Sequence, residues 1–219
     1  MGQNKSSTAA QQESIQLHQS NMNKVGSELA TFGAGCFWGT EKYFRKQFGH
    51  GLNSAIVGYM GGQVQKPSYE QVCIIWHIQH NTLYIRIMTL TCSMSHIILQ
   101  VCSGTTNHAE VLQLSYQTDK IKYSDLVEFF FRMHDPTTLN RQGNDRGTQY
   151  RSVIFTHTPE QQTIAQQVRD QIQQSGKVSG NIVTEITPAD GLTFYEGEPY
   201  HQKYLEENPG GYCNHKLYW

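Results

Sequence analysis

The chain has no CxxC pair and no regular cysteine framework, only five scattered residues: Cys36, Cys73, Cys92, Cys102 and Cys213. An odd count, with no apolar signal core at the N-terminus, argues against a disulfide scaffold and for reduced thiols in the cytoplasm. An excess of either charge is also missing. Lys plus Arg number 17 against 18 Asp plus Glu, a formal net charge of -1, so no nucleic-acid partner is expected. No apolar run reaches the roughly 18 residues that a spanning helix needs, so no stable membrane insertion is expected either. Charged residues amount to only 16%, whereas aromatics reach 11% with 12 tyrosines. That balance is globular rather than disordered.

Residues 1–27 are the exception, a polar tail rich in Gln, Ser and Asn without apolar periodicity. Its start, Met1-Gly2-Gln3-Asn4-Lys5-Ser6, fits the pattern for myristoylation of Gly2. A single acyl chain would give weak, reversible membrane association. Residues 28–219 read as one catalytic domain. Leu29–Phe32 is a short strand, Gly33-Ala34-Gly35 a turn, and Phe37, Phe44 and Phe48 mark a helix by their spacing. Gly58–Gly62 reads as a loop and Val111–Tyr116 as a strand. Ser124 reads as the cap of a helix reaching Met133. Tyr150–Thr156 is a strand, and Thr158, Pro159 and Gly176 bracket the clearest helix. A strand at Ile182–Ile186 and an aromatic, loop-like tail from Tyr195 follow. Strands and helices mix without a regular β-α-β rhythm, so the expected fold class is α+β: a two-layer α/β sandwich with a mixed sheet.

Residues 73–101 differ from their surroundings. They are strongly apolar, contain no Asp or Glu, and are flanked by the repeat Gln71-Val72-Cys73 and Gln100-Val101-Cys102. Removing them joins Val72 to Cys102 without a seam. Three readings are open: a translated intron or gene-model artefact, a β-hairpin insert, and a zinc site formed by His77, His80, Cys92 and His96.

Cys36 follows a glycine turn and precedes a helix, where unsatisfied backbone N–H groups favour a thiolate. Gly35 and Gly39 leave the sulfur approachable, and Phe37 and Trp38 could form an apolar cage beside it. The alternative is a buried core cysteine. The run Gly35-Cys36-Phe37-Trp38-Gly39-Thr40-Glu41 resembles the signature of the A-type peptide methionine sulfoxide reductases. So do Gly58-Tyr59-Met60-Gly61-Gly62, Pro67-Ser68-Tyr69-Glu70-Gln71-Val72-Cys73 and Ser103-Gly104-Thr105-Thr106-Asn107-His108-Ala109-Glu110-Val111. The stretch from Asn140 to Ser152, His134-Asp135-Pro136-Thr137, His201-Gln202-Lys203-Tyr204-Leu205 and Asn208-Pro209-Gly210-Gly211-Tyr212-Cys213 complete the set.

The resemblance implies a ferredoxin-like plait and a reductase of methionine-S-sulfoxide, peptide-bound or free. It assigns Cys36 to attack on the sulfoxide sulfur and Glu110 to protonation of its oxygen. Tyr69 and Tyr150 would hydrogen-bond that oxygen, Asp145 would organise the site, and Phe37 and Trp38 would hold the S-methyl group. Cys36 would become a sulfenic acid. Cys213, on a mobile tail, would resolve it as a disulfide reduced by thioredoxin, or by dithiothreitol in vitro. No metal, flavin or nucleotide is implied, a monomer is expected, and His108 and His201 are assigned structural roles.

Two other classes remain open from sequence: an inactive isoform of the same fold disabled by the insertion, and another cysteine enzyme. A cysteine hydrolase would want a histidine base, and no Cys-His signature accompanies Cys36.

Overall fold

The computed structural model describes residues 26–68 and 106–219. The expectations for the N-terminal tail, Gly2, Tyr69, Cys73, Cys92, Cys102 and the 73–101 segment with its histidines lie outside the described residues.

The chain begins with β1 (Ser27–Ala34), α1 (Phe37–Phe48), β2 (Leu52–Met60), β3 (Ala109–Gln117) and α2 (Tyr123–Met133). The two-residue strands β4 (Arg141–Gln142) and β5 (Asp145–Arg146) form a separate small hairpin. β6 (Ser152–Thr156), α3 (Pro159–Gln174), β7 (Glu185–Pro188), β8 (Tyr195–Glu196) and α4 (Tyr204–Glu207) follow. The main sheet has the order β7-β6-β1-β3-β2-β8, antiparallel throughout except for the parallel β6–β7 pair. Its four central strands, with α1 and α2 between them in sequence, make the β-α-β-β-α-β plait that the resemblance implied. β7 and β8 extend that plait at its two edges.

The sheet is buried on both faces, so β3 buries eight of its nine residues, the polar Glu110, Gln113 and Ser115 among them. Ala30, Phe32, Leu112, Leu114 and Ile154 face the helices, where Phe32 stacks on Phe44 at 5.1 Å and on Phe130 at 5.4 Å. Met60, Ala109, Val111, Val153 and Phe155 form a second cluster on the opposite face, packed by Ala189, Leu192 and Phe194.

Several local expectations change in the structure. Gly58 to Met60 belong to β2 and not to a loop, which begins at Gly61 with φ 85°. A Cβ on Gly58 would lie 2.2 Å from the Tyr195 carbonyl oxygen, so this glycine admits the close approach of β8. Ser124 does not cap α2. Lys122 is the N-cap, with no side-chain bond, and Ser124 Oγ donates to Asp125 instead. Tyr150 ends a short 3-10 turn, Thr148–Tyr150, ahead of β6. The strand expected at Ile182–Ile186 is displaced to Glu185–Pro188. Thr158 does cap α3, accepting from the Gln161 N–H at 3.1 Å.

The tail beyond Tyr195 is more ordered than a loop. Beside the Gly58–Tyr59 contact with β8, Val57 O accepts from Gly197 N–H at 2.8 Å, and the Gln202 side chain pairs with the same residue. Its Oε1 accepts from Val57 N–H at 3.0 Å, and its Nε2 donates to Val57 O at 2.9 Å.

Candidate active site

Cys36 is the N-cap of α1, delivered there by the end of β1. Gly35 before it has φ 89°, and a Cβ there would lie 2.5 Å from Gln142 Cβ. Only glycine makes this turn without strain. Gly39 has a different task from the one read in the sequence. A Cβ on it would lie 2.0 Å from His215 Nδ1, so it makes room for the C-terminal tail rather than for access to the sulfur.

Glu110, second in β3 and 1% exposed, accepts from the Phe37 backbone N–H at 2.9 Å. A carboxylate against a helix N-terminus is electrostatically favoured. The surroundings of Cys36 run against the expectation of an easily formed thiolate. Burial and the Glu110 carboxylate push the half-buried thiol well above its ordinary value, and Asp145 adds to the effect. Hydrogen bonds from the Trp38 and Gly39 backbone oppose the rise without reversing it. Burial, with the two carboxylates beside it, outweighs the helix start, so the sulfur holds its proton more tightly than a free thiol.

Cys36, Phe37, Trp38, Glu110, Asp145, Tyr150 and Tyr212 line one pocket of about 90 Å³. That space suits the end of one side chain, not a nucleotide or flavin. The structure thus gathers six of the residues singled out in the sequence, from β1–α1, β3, β5 and the turn before β6. Among the described residues, no cluster of three or more His, Cys, Asp or Glu could hold a metal ion.

Five residues that shape this site were not assigned to it from sequence. Tyr212 lines the pocket and hydrogen-bonds Asp145. Asn214 Nδ2 donates to Asp145 Oδ2 at 2.8 Å and to Gln142 O at 2.7 Å. Burial raises the Asp145 carboxyl, and these two partners moderate the rise. His201, taken as structural, orients the aromatic cage: Trp38 Nε1 donates to His201 Nδ1 at 3.1 Å. Tyr204 stacks on Trp38 with centroids 3.9 Å apart. The buried Glu41 holds the turn before Tyr204 by accepting from Lys203 N–H at 2.7 Å. All of these except Asn214, which directly follows one, lie in quoted motifs. What no motif reveals is the folding of the tail back over α1.

Cys213 lies between Tyr212 and Asn214, the two tail residues tied to Asp145. Both Cys36 and Cys213 are free thiols in this structure. The tail expected to be mobile is therefore held on each side of its cysteine.

The sequence pattern of the peptide methionine sulfoxide reductase family matches residues 28–87 and 96–218. Peptide methionine sulfoxide reductase MsrA of Methanothermobacter thermautotrophicus is 46% identical over 186 residues, 85% of this chain and 90% of that protein. Mxr1 from Saccharomyces cerevisiae in reduced form is similar in structure with a TM-score of 0.68 at 36% identity, over 89% of this chain and 94% of the other. The structure of Mxr1 in complex with Trx2 shares the fold with a TM-score of 0.52 at 24% identity, over 89% of this chain and 92% of that one.

Proposed function

The chain belongs to the peptide methionine sulfoxide reductase family, and we infer from that membership and from the pocket that it reduces methionine-S-sulfoxide, peptide-bound or free, with electrons from thiols. The observation that carries the residue assignments is the meeting of Cys36, Glu110 and the Phe37–Trp38 pair in one small pocket. Cys36 attacks the sulfoxide sulfur. Glu110 passes a proton to the oxygen, and Tyr150 hydrogen-bonds that oxygen while Phe37 and Trp38 hold the methyl group. We assign Tyr69, by the family resemblance, the role of the second phenol. Asp145 acts by holding Tyr212 and the tail.

A raised thiol suits this chemistry. The resting nucleophile keeps its proton until substrate arrives, so the proton needed by the oxygen is already in the pocket. The oxygen ends on Cys36 as a sulfenic acid, and methionine leaves reduced. Cys213 then closes a disulfide with Cys36, which thioredoxin, or dithiothreitol in vitro, reduces by thiol exchange. No flavin, nucleotide or metal takes part in these steps. The disabled-isoform reading gains no support from the pocket, whose described parts stand together.

The discriminating experiment assays purified protein on both sulfoxide epimers with dithiothreitol, beside a version lacking 73–101. Turnover of the S epimer alone is expected. A Cys36→Ser protein should be inactive, and turnover by it would remove the proposed nucleophile. The protein acts as a cytoplasmic monomer, for which light scattering should give about 25.0 kDa. A myristoyl group on Gly2 would add weak membrane contact. Mass spectrometry of the native chain decides that point, since a free or acetylated terminus would exclude the lipid.

A further inference from the structure

Cys213 is pinned by its two neighbours, Tyr212 before it and Asn214 after it, both bonded to Asp145. Two residues beyond Cys213, the His215 ring is buried under the start of α1. Its Nε2 lies 2.7 Å from the carbonyl oxygen of Ala34, which identifies Nε2 as the protonated nitrogen. The same nitrogen lies 3.5 Å from Thr40 Oγ1. The His215 backbone carbonyl accepts from Tyr43 OH at 2.9 Å. Its Nδ1 presses against Gly39 and has no hydrogen-bond partner among the described residues. Ala34 is two residues before Cys36, whereas Gly39 and Thr40 lie in the first turn after it. One imidazole thus bridges both flanks of Cys36 and sits two residues from Cys213.

A purely structural anchor would not need to meet α1 at this turn, nor would it require a glycine there. Burial holds the His215 ring neutral, lowering its pKa to about 4, so the bridge is intact at neutral pH. We propose that His215 is a positioning residue for the second half of the cycle, setting the reach of the Cys213 sulfur to oxidised Cys36. In that step the Cys213 sulfur attacks the Cys36 sulfenic acid, the S–O bond breaks and an S–S bond forms. The oxygen leaves as water, carrying the sulfenic hydrogen and the proton of the Cys213 thiol. With two short tethers around Cys213, the tail does not search for its partner as a free chain would. The two sulfurs are held at a high effective concentration. Sulfoxide reduction itself does not use His215.

The proposal rests on the reading of Cys213 as the resolving residue, and the experiment separates the two. The protein reduces one equivalent of a peptide sulfoxide without reductant. Dimedone traps remaining sulfenic acid, and mass spectrometry counts the disulfide. Cys213→Ser should release methionine and accumulate trapped Cys36. If it does not accumulate the adduct, the resolving role itself is lost. His215→Ala should release methionine as the wild type does but close the disulfide at least tenfold more slowly. Its turnover should fall more with thioredoxin than with dithiothreitol, which can reduce the sulfenic acid directly. Wild-type closure in His215→Ala would overturn the proposal. Should that variant fail to fold, Tyr43→Phe loosens the same anchor more gently. A smaller slowing of closure with normal methionine release supports the role, and unchanged closure refutes it.

Discussion

The single atom on which the chemistry turns is the Cys36 sulfur, and its surroundings set its charge in a way that local sequence did not reveal. Position at a helix start argued for an easily ionised thiol. Burial of the sulfur reverses that, helped by Glu110, far away in sequence, which occupies the same helix start. Alkylation of Cys36 by iodoacetamide should therefore be slow at neutral pH and climb with pH, inflecting above the ordinary thiol value of about 8.5. Glu110→Gln removes a negative charge beside the sulfur, so the inflection should move down and alkylation at pH 7 should accelerate. The same variant should lose about 10²-fold or more in kcat/KM for the sulfoxide, since the proton donor is gone. An unmoved inflection would contradict the proposed coupling. At this scale the motif residues were legible by type and spacing. Tyr212, His201 and His215 were not, because their roles depend on partners joined only when the tail folds back.

Among the elements, α3 was the most readable, and its cap is observed as a bond. Thr158→Ala should cost about 1 kcal/mol in urea denaturation. Ser124→Ala should cost a few tenths at most, because that side chain caps nothing. A loss at Ser124 equal to that at Thr158 would contradict the assigned caps. The misread elements share one cause: their form is set by neighbours distant in sequence. Gly58 looks like a loop residue until β8 is laid against it. Glu185–Pro188 is a strand because β6 offers it a parallel edge, which no local periodicity announces.

For the whole molecule, the α+β class and the mixed sheet followed from the mix of elements. The plait itself came from the motifs, since composition cannot order strands. Tertiary burial also fixes the response to acid. His134 and His215 are 1% and 7% exposed, with pKa values lowered by burial to about 3 and about 4. The unfolded chain takes up protons on these rings near pH 6.5 while the folded chain does not. Their contribution to stability is complete above that pH and falls as pH drops toward 4, by about 1.4 kcal/mol per pH unit for each ring. Denaturant midpoints measured from pH 7 to pH 4.5 should fall accordingly, and His215→Ala should flatten the slope. An equal slope in that variant would contradict the buried neutral ring. One feature of the sheet bears on how such a protein lives with its substrates. Oxidised chains present extended backbone, which readily adds to any open strand edge. Here β8 covers β2 for only two residues, and the Gln202 amide occupies both hydrogen-bonding groups of Val57 beyond it. That side chain is a counterfeit strand one residue long, seated beside the Gly197 N–H that also reaches the Val57 carbonyl. With its N–H and C=O both paired, Val57 offers no open ladder position to a further strand.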